Sequence, residues 1–572
     1  MTALNSNNVN SLWCSVLMET LVREGLRFAV ISPGSRSTPL TMAAGSHPQV
    51  ETIVSVDERS AAFHALGLAR GSGNPVMLIC TSGSAGAHYL PAMIEARETG
   101  TPLIAITADR PAELRDCSAG QTINQHQLFG NYATWYHEFA VPMLDESLFV
   151  YLRQTTRQAW ERARADGPVH LNAPFRDPLP PLPDGGETAE FATQIDEEFW
   201  SRPEPVGLNS EIKMVHQVTT SRGMIVSGPA YATDQASYAR HVYDLAEATG
   251  WPILADGLSP ARHFVPPGVT VVSHYDLILR NPTRARELTP RYVLGLESWP
   301  TSKALRQWLG QSQAEMLMVS PRSSAGDAVH GRTREITAPI SALTFSGAAA
   351  KDTSYAKAWQ AAQTTAANLL ETWFNDENQA AFEGHVSRAV AGSTGPGHAV
   401  VLASSMPVRD WEYFCPAANR GCHVYSSRGA NGIDGTFSTA LGTARSTNHP
   451  TVLITGDLAF LHDSNGLMLA HESAADLTVI VVNNSGGGIF EHLPVARFDE
   501  RFERLFATPT QVDLGKLCEA HRVRHRRIAL SDLNSVLSDR QEQGVRVIEV
   551  RTDRKADAVT RKRGFRELAN QL

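Results

Sequence analysis

Two runs of strand-forming apolar residues near the C-terminus each lead into a polar residue that could bind a ligand. Residues 451–455 (TVLIT) precede Asp457, and residues 477–482 (LTVIVV) precede Asn484. The chain between the runs is long enough for a helical crossover, which predicts neighbouring parallel strands. In an open parallel sheet, the loops at the carboxyl ends of the strands share one crevice where ligands bind. We therefore expect Asp457 and Asn484 to lie close together at that edge.

Carboxylate and amide oxygens are the hard ligands that a divalent ion such as Mg²⁺ prefers, and such an ion can also hold a diphosphate. The order GD, then NN after the crossover, resembles the metal and diphosphate motif of thiamine diphosphate enzymes. The alternative is ordinary turn chemistry, because Gly, Asp and Asn are favoured wherever a strand turns or a helix is capped. On this segment alone, both interpretations stand.

A second segment, near the N-terminus, supports the first interpretation. Residues 51–56 (ETIVSV) predict a buried strand, and Asp57 opens a helical stretch whose first turn contains Glu58. One interpretation is structural: Asp57 caps the helix and Glu58 favours the positive end of its dipole. The other is catalytic: Glu58 hydrogen-bonds the aminopyrimidine of thiamine diphosphate and promotes loss of the thiazolium C2 proton. Paired with the distant GD and NN segment, Glu58 is the leading catalytic candidate.

Length and composition narrow the class of protein. A chain of 572 residues is too long for one hydrophobic core and predicts three or four domains. A net charge of −8 without a basic tract argues against a nucleic-acid partner. Neither a long apolar run nor a signal-peptide pattern is present, so we expect a cytoplasmic protein without membrane insertion. The six cysteines form no CxxC pair, which indicates neither a disulfide framework nor a zinc site.

Short apolar runs that end at Gly, Ser or Asp recur along the chain, as at residues 28–31, 76–80 and 103–107. This pattern is typical of parallel strands covered on both faces. A proline-rich stretch at residues 174–183 closes the first block, and a helical stretch at residues 355–374 precedes the last. We predict an α/β protein with three domains, each a parallel sheet flanked by helices. Their predicted bounds are 1–185, 186–375 and 376–572.

Several longer segments resemble one particular family among the thiamine diphosphate enzymes. They are ISPGSRSTPL at residues 31–40, the block at 106–130, PTSKALRQW, YSSRGANGIDG and VVNNSGGGIFEHLP. Together they resemble the 2-succinyl-5-enolpyruvyl-6-hydroxy-3-cyclohexene-1-carboxylate synthases, thiamine-dependent enzymes of menaquinone and phylloquinone biosynthesis. The similarity covers nearly the whole chain and is weakest across residues 187–292. It identifies the three predicted domains as pyrimidine-binding, central and diphosphate-binding.

The resemblance implies an activity and a set of partners. Such an enzyme decarboxylates 2-oxoglutarate on thiamine diphosphate, with Mg²⁺ or Mn²⁺, and adds the four-carbon product to isochorismate. It also implies a homodimer or homotetramer, with the cofactor between the first domain of one subunit and the last domain of another.

Each substrate carries two carboxylates, which arginines bind well because their planar fork pairs with a carboxylate through two hydrogen bonds. By resemblance, the substrate-binding residues are Ser35, Arg36, Arg110, Gln121, Lys303, Ser405, Arg409 and Arg428. For any one of these residues taken alone, a structural role is the alternative.

The same resemblance assigns residues around the cofactor. Ile433 matches the bulky residue that holds thiamine in its bent conformation, although ordinary core packing would also explain it. Gly486 offers its carbonyl to the metal together with Asp457 and Asn484. The remaining residues assigned by this resemblance are apolar. Ile489 lies against the cofactor, and Phe490 and Leu493 line the substrate pocket.

The sequence also departs from the family pattern. Related enzymes often continue TSK with a basic residue, where this chain has Ala304. Arg306 is the nearest basic residue that could supply the missing charge, although a shift of two positions points it to another side of a helix. Residues 81–103, with His88 and Tyr89, also differ from the commoner pattern.

Other functions compete with this one. The nearest is another thiamine-dependent 2-oxoacid lyase or carboligase, which would share Glu58 and the GD and NN segment. A noncatalytic binding protein on the same scaffold is a second alternative. A dinucleotide oxidoreductase is discounted, because the glycine-rich stretches lack GxGxxG between a strand and a helix.

Overall fold

The computed structural model describes residues 4–201, 214–217, 220–322, 326–346, 353–378, 380–539 and 543–572. The residues group into two compact units. The first contains Met1–Leu208, Gly429–Asn448 and His462–Ala475, and the second contains Asn209–Arg428, His449–Leu461 and Asp476–Leu572. The predicted domain bounds at residues 185 and 375 remain a prediction.

The described part of the chain alternates strands and helices. The strands are β1 (Phe28–Ile31), β2 (Glu51–Val54), β3 (Val76–Cys80), β4 (Leu103–Asp109), β5 (Trp135–Glu138), β6 (Val169–Pro174), β7 (Met214–Gln217), β8 (Gly223–Ser227), β9 (Ile253–Ala255), β10 (Val271–Val272), β11 (Tyr292–Leu296), β12 (Glu315–Ser320), β13 (Arg332–Thr337), β14 (Leu343–Ser346), β15 (Ala399–Leu402), β16 (His423–Ser426), β17 (Thr451–Gly456), β18 (Leu477–Asn483), β19 (Arg524–Ile528) and β20 (Val545–Arg551). The α-helices are α1 (Val9–Glu24), α2 (Thr38–Ser46), α3 (Glu58–Ser72), α4 (Leu90–Thr99), α5 (Glu146–Asp166), α6 (Glu187–Ala192), α7 (Glu197–Trp200), α8 (Gln235–Thr249), α9 (Tyr275–Leu279), α10 (Pro282–Glu287), α11 (Lys303–Gln311), α12 (Ser354–Phe374), α13 (Gly384–Ser393), α14 (Met406–Phe414), α15 (Thr436–Thr447), α16 (Asp457–His462), α17 (Asp499–Phe502), α18 (Leu514–Ala520), α19 (Leu533–Ser538) and α20 (Arg554–Asn570).

The first unit contains a six-stranded parallel sheet with the order β2-β1-β3-β4-β6-β5. The four inner strands are buried along their whole length, because helices cover both faces of the sheet. A strand forms within the predicted segment 51–56, but the prediction that this strand is buried is wrong. Strand β2 is an edge strand, and Val54 and Val56 are 43% and 74% exposed.

Helix α3 begins as predicted. The Asp57 side chain accepts hydrogen bonds from the Arg59 amide and the Ser60 hydroxyl, both at 3.0 Å, so Glu58 is the first helical residue. The helix packs closely on α15 in the same unit. A Cβ at Gly442 would lie 2.1 Å from the His64 carbonyl oxygen, so only glycine permits this approach.

The second unit contains two six-stranded parallel sheets and one small two-stranded sheet. The orders are β10-β9-β8-β11-β12-β13, β16-β15-β17-β18-β20-β19 and β14-β7. Helix α12 confirms the helix expected at residues 355–374. The predicted α/β class, with parallel sheets flanked by helices, is therefore confirmed. No helix among the described residues is both long enough and apolar enough to cross a membrane.

Candidate active site

Strands β17 and β18 are hydrogen-bonded neighbours, and Gly456 pairs with Val482 at their carboxyl ends. Asp457 follows directly as the first residue of α16 and is only 4% exposed. Its Oδ2 accepts a hydrogen bond from the Gly486 amide at 2.8 Å, and its Oδ1 accepts one from the Leu458 amide at 2.8 Å. The expected convergence of Asp457 with the loop that begins at Asn484 is thus present.

The environment of Asp457 favours a bound cation. Burial raises the pKa of this carboxyl to about 6, although its two backbone hydrogen bonds act in the opposite direction. A carboxylate that is costly to ionise in a protein interior is stabilised by a positive charge placed beside it.

Asn484 contributes an oxygen without a partner. The side chain is buried, and its Nδ2 donates a hydrogen bond to Glu383 at 2.9 Å. Its Oδ1 has no hydrogen-bond partner within the described residues. A buried polar atom left unpaired costs about 1–3 kcal/mol, which a cation at this oxygen would offset.

Gly486 completes the predicted metal ligands. Its φ of +131° and the 2.2 Å that would separate a Cβ from the Ala507 carbonyl oxygen both require glycine. Its carbonyl accepts a hydrogen bond from the Gly488 amide at 2.9 Å and keeps a second lone pair.

The donor set therefore consists of one carboxylate, one amide oxygen and one backbone carbonyl, which fits Mg²⁺ or Mn²⁺. No group of three or more His, Cys, Asp or Glu within the described ranges could hold a metal ion.

Glu58 lies on the first turn of α3 and is partly exposed. Its carboxylate makes no hydrogen bond or ion pair with any other described residue. It lies close enough for its charge to reach Cys80 at the end of β3 and Tyr89 directly before α4. Burial raises the pKa of Cys80 to about 12 and that of Tyr89 well above its usual value, and the Glu58 charge adds to both effects. Glu58 therefore keeps both oxygens available to a ligand.

The structure brings together the predicted substrate residues of the first unit. Arg110 Nη1 donates to the Ser82 hydroxyl at 2.8 Å and to the Gln121 carbonyl at 3.1 Å. Burial lowers the pKa of Arg36, and the charge of Arg110 lowers it further, so the two guanidinium groups lie near each other. Ser35 precedes Arg36 and is exposed.

Ser82 is a residue that the sequence analysis missed. Its hydroxyl donates to the Gln121 carbonyl at 2.9 Å, and its carbonyl accepts from the Gln121 side chain at 3.0 Å. Ser82 follows β3 at the carboxyl edge of the sheet, which is the same signal that identified Asp457.

The second unit holds another cationic cluster, formed by Arg306, Arg409 and Arg428. Burial lowers the pKa of Arg306 and of Arg409, and the charge of Arg428 lowers both further. The charge of Arg306 also reaches Arg409. Within the described residues, none of the three is in an ion pair with a carboxylate. Partly buried guanidinium groups this close together attract an anion, although the charges of Asp256 near Arg306 and Asp410 near Arg409 offset part of their repulsion.

Arg306 lies near the predicted substrate-binding residues Arg409 and Arg428. Its position two residues after Ala304 had suggested that it would point to another side of the helix. Arg409 donates to the carbonyl of Ser405 at 2.5 Å, and Ser405 has a φ of +75°, which is strained for a serine. Lys303 is the first residue of α11 and is exposed. Among the described residues, no hydrogen bond or ion pair joins Lys303 to the arginines.

The predicted apolar residues fall in both units. In the first unit, Ile433 is partly exposed in the loop before α15, so it is not part of a closed core. Glu95, a second residue missed from sequence, anchors the start of that loop by accepting hydrogen bonds from the amides of Gly429 and Ala430 at 3.1 and 2.6 Å.

In the second unit, Ile489 and Phe490 are also partly exposed. Phe490 packs edge-to-face on Phe506 with ring centroids 5.7 Å apart, and Leu493 is 47% exposed. These side chains leave apolar surface that a ligand could cover.

Comparison with known protein families identifies all three parts of the chain. Residues 14–129 match the thiamine pyrophosphate enzyme N-terminal TPP binding domain. Residues 196–392 match the family described as middle domain of thiamine pyrophosphate, and residues 410–550 match the thiamine pyrophosphate enzyme C-terminal TPP binding domain.

Similar proteins named 2-succinyl-5-enolpyruvyl-6-hydroxy-3-cyclohexene-1-carboxylate synthase match over almost their entire length. The protein of Synechococcus sp. (strain JA-3-3Ab) is 45% identical, with 99% of this chain and 98% of the relative covered. That of Synechococcus elongatus is 42% identical, with coverage of 99% and 97%, and that of Acaryochloris marina is 42% identical, with 100% of both chains covered. The chain therefore belongs to the 2-succinyl-5-enolpyruvyl-6-hydroxy-3-cyclohexene-1-carboxylate synthase family of thiamine pyrophosphate enzymes.

Proposed function

We propose that this protein decarboxylates 2-oxoglutarate with thiamine diphosphate and adds the resulting four-carbon unit to isochorismate. Dicarboxylate substrates are inferred from the cluster of Arg306, Arg409 and Arg428. The positive charges of these side chains repel one another in the absence of an anion. Both substrates are dicarboxylates, and a carboxylate bound among these side chains would relieve that repulsion. In the first unit, Arg36 and Arg110 form another cationic group that would bind a carboxylate.

Asp457, Asn484 and Gly486 would hold Mg²⁺ or Mn²⁺ and through it the diphosphate. The support is the buried Asp457 carboxylate, the unpaired Asn484 Oδ1 and the free lone pair of the Gly486 carbonyl. When bound, thiamine diphosphate supplies a nucleophilic carbon and an electron sink for the loss of carbon dioxide.

Glu58 would share a proton with the aminopyrimidine ring, because its carboxylate has no competing partner among the described residues. Ile433 would hold the bent conformation of the cofactor. Ile489, Phe490 and Leu493 would exclude water, which strengthens the electrostatic interactions made by the neighbouring charges.

Assembly as a homodimer or homotetramer in the cytoplasm belongs to the same proposal. The exposed apolar side chains of Val54 and Val56, close in sequence to Glu58, support a subunit contact at the edge of the first sheet.

The test is to incubate the purified protein with thiamine diphosphate, Mg²⁺, 2-oxoglutarate and isochorismate, and to identify the product by mass. We expect one adduct that contains the four-carbon unit. Pyruvate replaces 2-oxoglutarate in a parallel reaction. Turnover of pyruvate without any product from 2-oxoglutarate and isochorismate would contradict the proposal and favour another thiamine-dependent lyase or carboligase.

A further inference from the structure

The orientation of one side-chain amide decides whether Asn484 can bind a cation. A carboxamide has an oxygen on one side and an NH₂ group on the other, and only the oxygen can bind a metal ion. The Asn484 Nδ2 donates to Glu383 at 2.9 Å, and the opposite atom, Oδ1, is buried without a partner among the described residues. Because a carboxylate only accepts hydrogen bonds, contact with Glu383 fixes which way the amide faces.

Glu383 is itself held in place. Its Oε1 accepts from Arg561 Nη1 at 2.9 Å, and both side chains are 4% exposed. Arg561 Nη2 donates to Asp410 Oδ1 at 2.5 Å. A Cβ at Gly488 would lie 2.6 Å from Asn484 Nδ2, so only glycine at this position leaves room for the amide nitrogen to face Glu383.

We infer that Glu383 is a positioning residue that turns the Asn484 oxygen toward the divalent ion, an inference that rests on the metal site in the proposed function. A role only in joining α13, α14 and α20 would account for the bonds to Arg561 and Asp410. It would not account for a buried amide whose nitrogen is paired and whose oxygen is left open.

The substitution Glu383→Gln should reverse the Asn484 amide. Arg561 has only donors, so the oxygen of the introduced amide turns to Arg561 and its NH₂ group faces Asn484. The Asn484 oxygen then accepts from that NH₂ group, and the Asn484 NH₂ group faces the metal. When Glu383→Gln is combined with Asn484→Asp, the introduced amide instead donates to one oxygen of the new carboxylate and leaves the other oxygen for the metal.

The experiment measures Mn²⁺ binding by electron paramagnetic resonance at saturating thiamine diphosphate, with full-length protein. We expect Glu383→Gln to weaken Mn²⁺ binding about 10- to 100-fold, as loss of a group that orients a ligand does, and the double variant to recover most of it. Glu297→Gln is the matched control, because Glu297 is a buried glutamate of the same unit that pairs with Arg322 at 3.5 Å and, among the described residues, bonds neither Asn484 nor Glu383. Circular dichroism melting curves show whether each variant is folded.

Equal losses in Glu383→Gln and Glu297→Gln, unchanged affinity in Glu383→Gln, or no recovery in the double variant would each overturn the role of Glu383. Absence of saturable Mn²⁺ binding in the unmodified protein would overturn the proposed metal site and this inference with it. Normal Mn²⁺ binding without product from 2-oxoglutarate and isochorismate would contradict the proposed reaction alone.

Discussion

Glu58 and Asp457 occupy the same position in two different sheets, yet their surroundings differ. Each acid follows a strand of a parallel sheet and is the first residue of a helix, α3 or α16. Asp457 is 4% exposed and accepts one backbone hydrogen bond at each oxygen. Glu58 is partly exposed, and its carboxylate bonds no other described residue.

The difference separates a fixed charge from a group that can exchange a proton. The Asp457 carboxylate is held in one orientation, which suits a metal ligand. The Glu58 carboxylate is unconstrained by partners, which suits proton sharing with a ligand. An acid at the start of a helix thus acquires its chemistry from the loops beside it, and substitution of each acid should have a different effect.

Glu58→Gln should give the largest effect. The amide cannot share a proton in the same way, so we expect turnover to fall about 100- to 10,000-fold while Mn²⁺ and thiamine diphosphate binding stay within about twofold. Steady-state rates and cofactor titrations measure the two properties. Glu146→Gln is the control, since Glu146 also begins a helix after a capping aspartate but is exposed. Normal turnover in Glu58→Gln would remove Glu58 from the mechanism.

Asp457→Ala should act on binding rather than on proton exchange. Loss of the only carboxylate among the proposed metal ligands should weaken Mn²⁺ and thiamine diphosphate binding roughly 100-fold or more. Calorimetric titration measures both. Asp513→Ala removes an exposed acid that caps α18 in the same unit, and it should leave binding unchanged. Unchanged Mn²⁺ and thiamine diphosphate binding in Asp457→Ala would contradict the role of Asp457 as a metal ligand.

Arg409→Ala should spare both acids and affect the substrate. Loss of one charged hydrogen-bonding partner, worth about 1.5–3 kcal/mol, should lower kcat/KM for 2-oxoglutarate or isochorismate about 10- to 100-fold, with cofactor binding retained. Arg332→Ala, which removes an exposed arginine paired with Glu315 at 3.1 Å, is the control. Loss of cofactor affinity in Arg409→Ala would assign this cluster to the diphosphate instead of the substrate.

The sequence predicted most of the features that local patterns determine. The apolar runs before Asp457 and Asn484 became β17 and β18, and the start of α3 at Glu58 followed from Asp57 as a capping residue. Parallel pairing then brought Asp457 to the loop of Asn484, because adjacent strands end at one edge.

Features that depend on distant partners were not predicted. Strand β2 was expected to be buried, but whether a strand lies at an edge depends on the order of all strands in the sheet. Glu383 was missed because its contact with Asn484 joins residues far apart in sequence. The proximity of Arg306 to Arg409 depends on the packing of two helices, which a two-residue offset along one helix does not reveal.

Helix α3, which begins at Glu58, should also make the free energy of unfolding depend on pH, which is a smaller effect than those above. His64 on α3 is fully buried, and burial lowers its pKa to about 4, from an ordinary value of 6.5. A histidine that is harder to protonate when folded stabilises the protein above its unfolded pKa, and this stability is lost as pH falls from about 6.5 toward 4. At pH 5 the loss relative to pH 7 is about 2 kcal/mol.

Unfolding curves at the two pH values should therefore show a smaller difference in the free energy of unfolding for His64→Gln than for the unmodified protein. Exposed His88, when replaced by Gln, should leave the difference unchanged. Identical pH dependence in His64→Gln and in the unmodified protein would mean that acid sensitivity arises elsewhere than in the helix beneath Glu58.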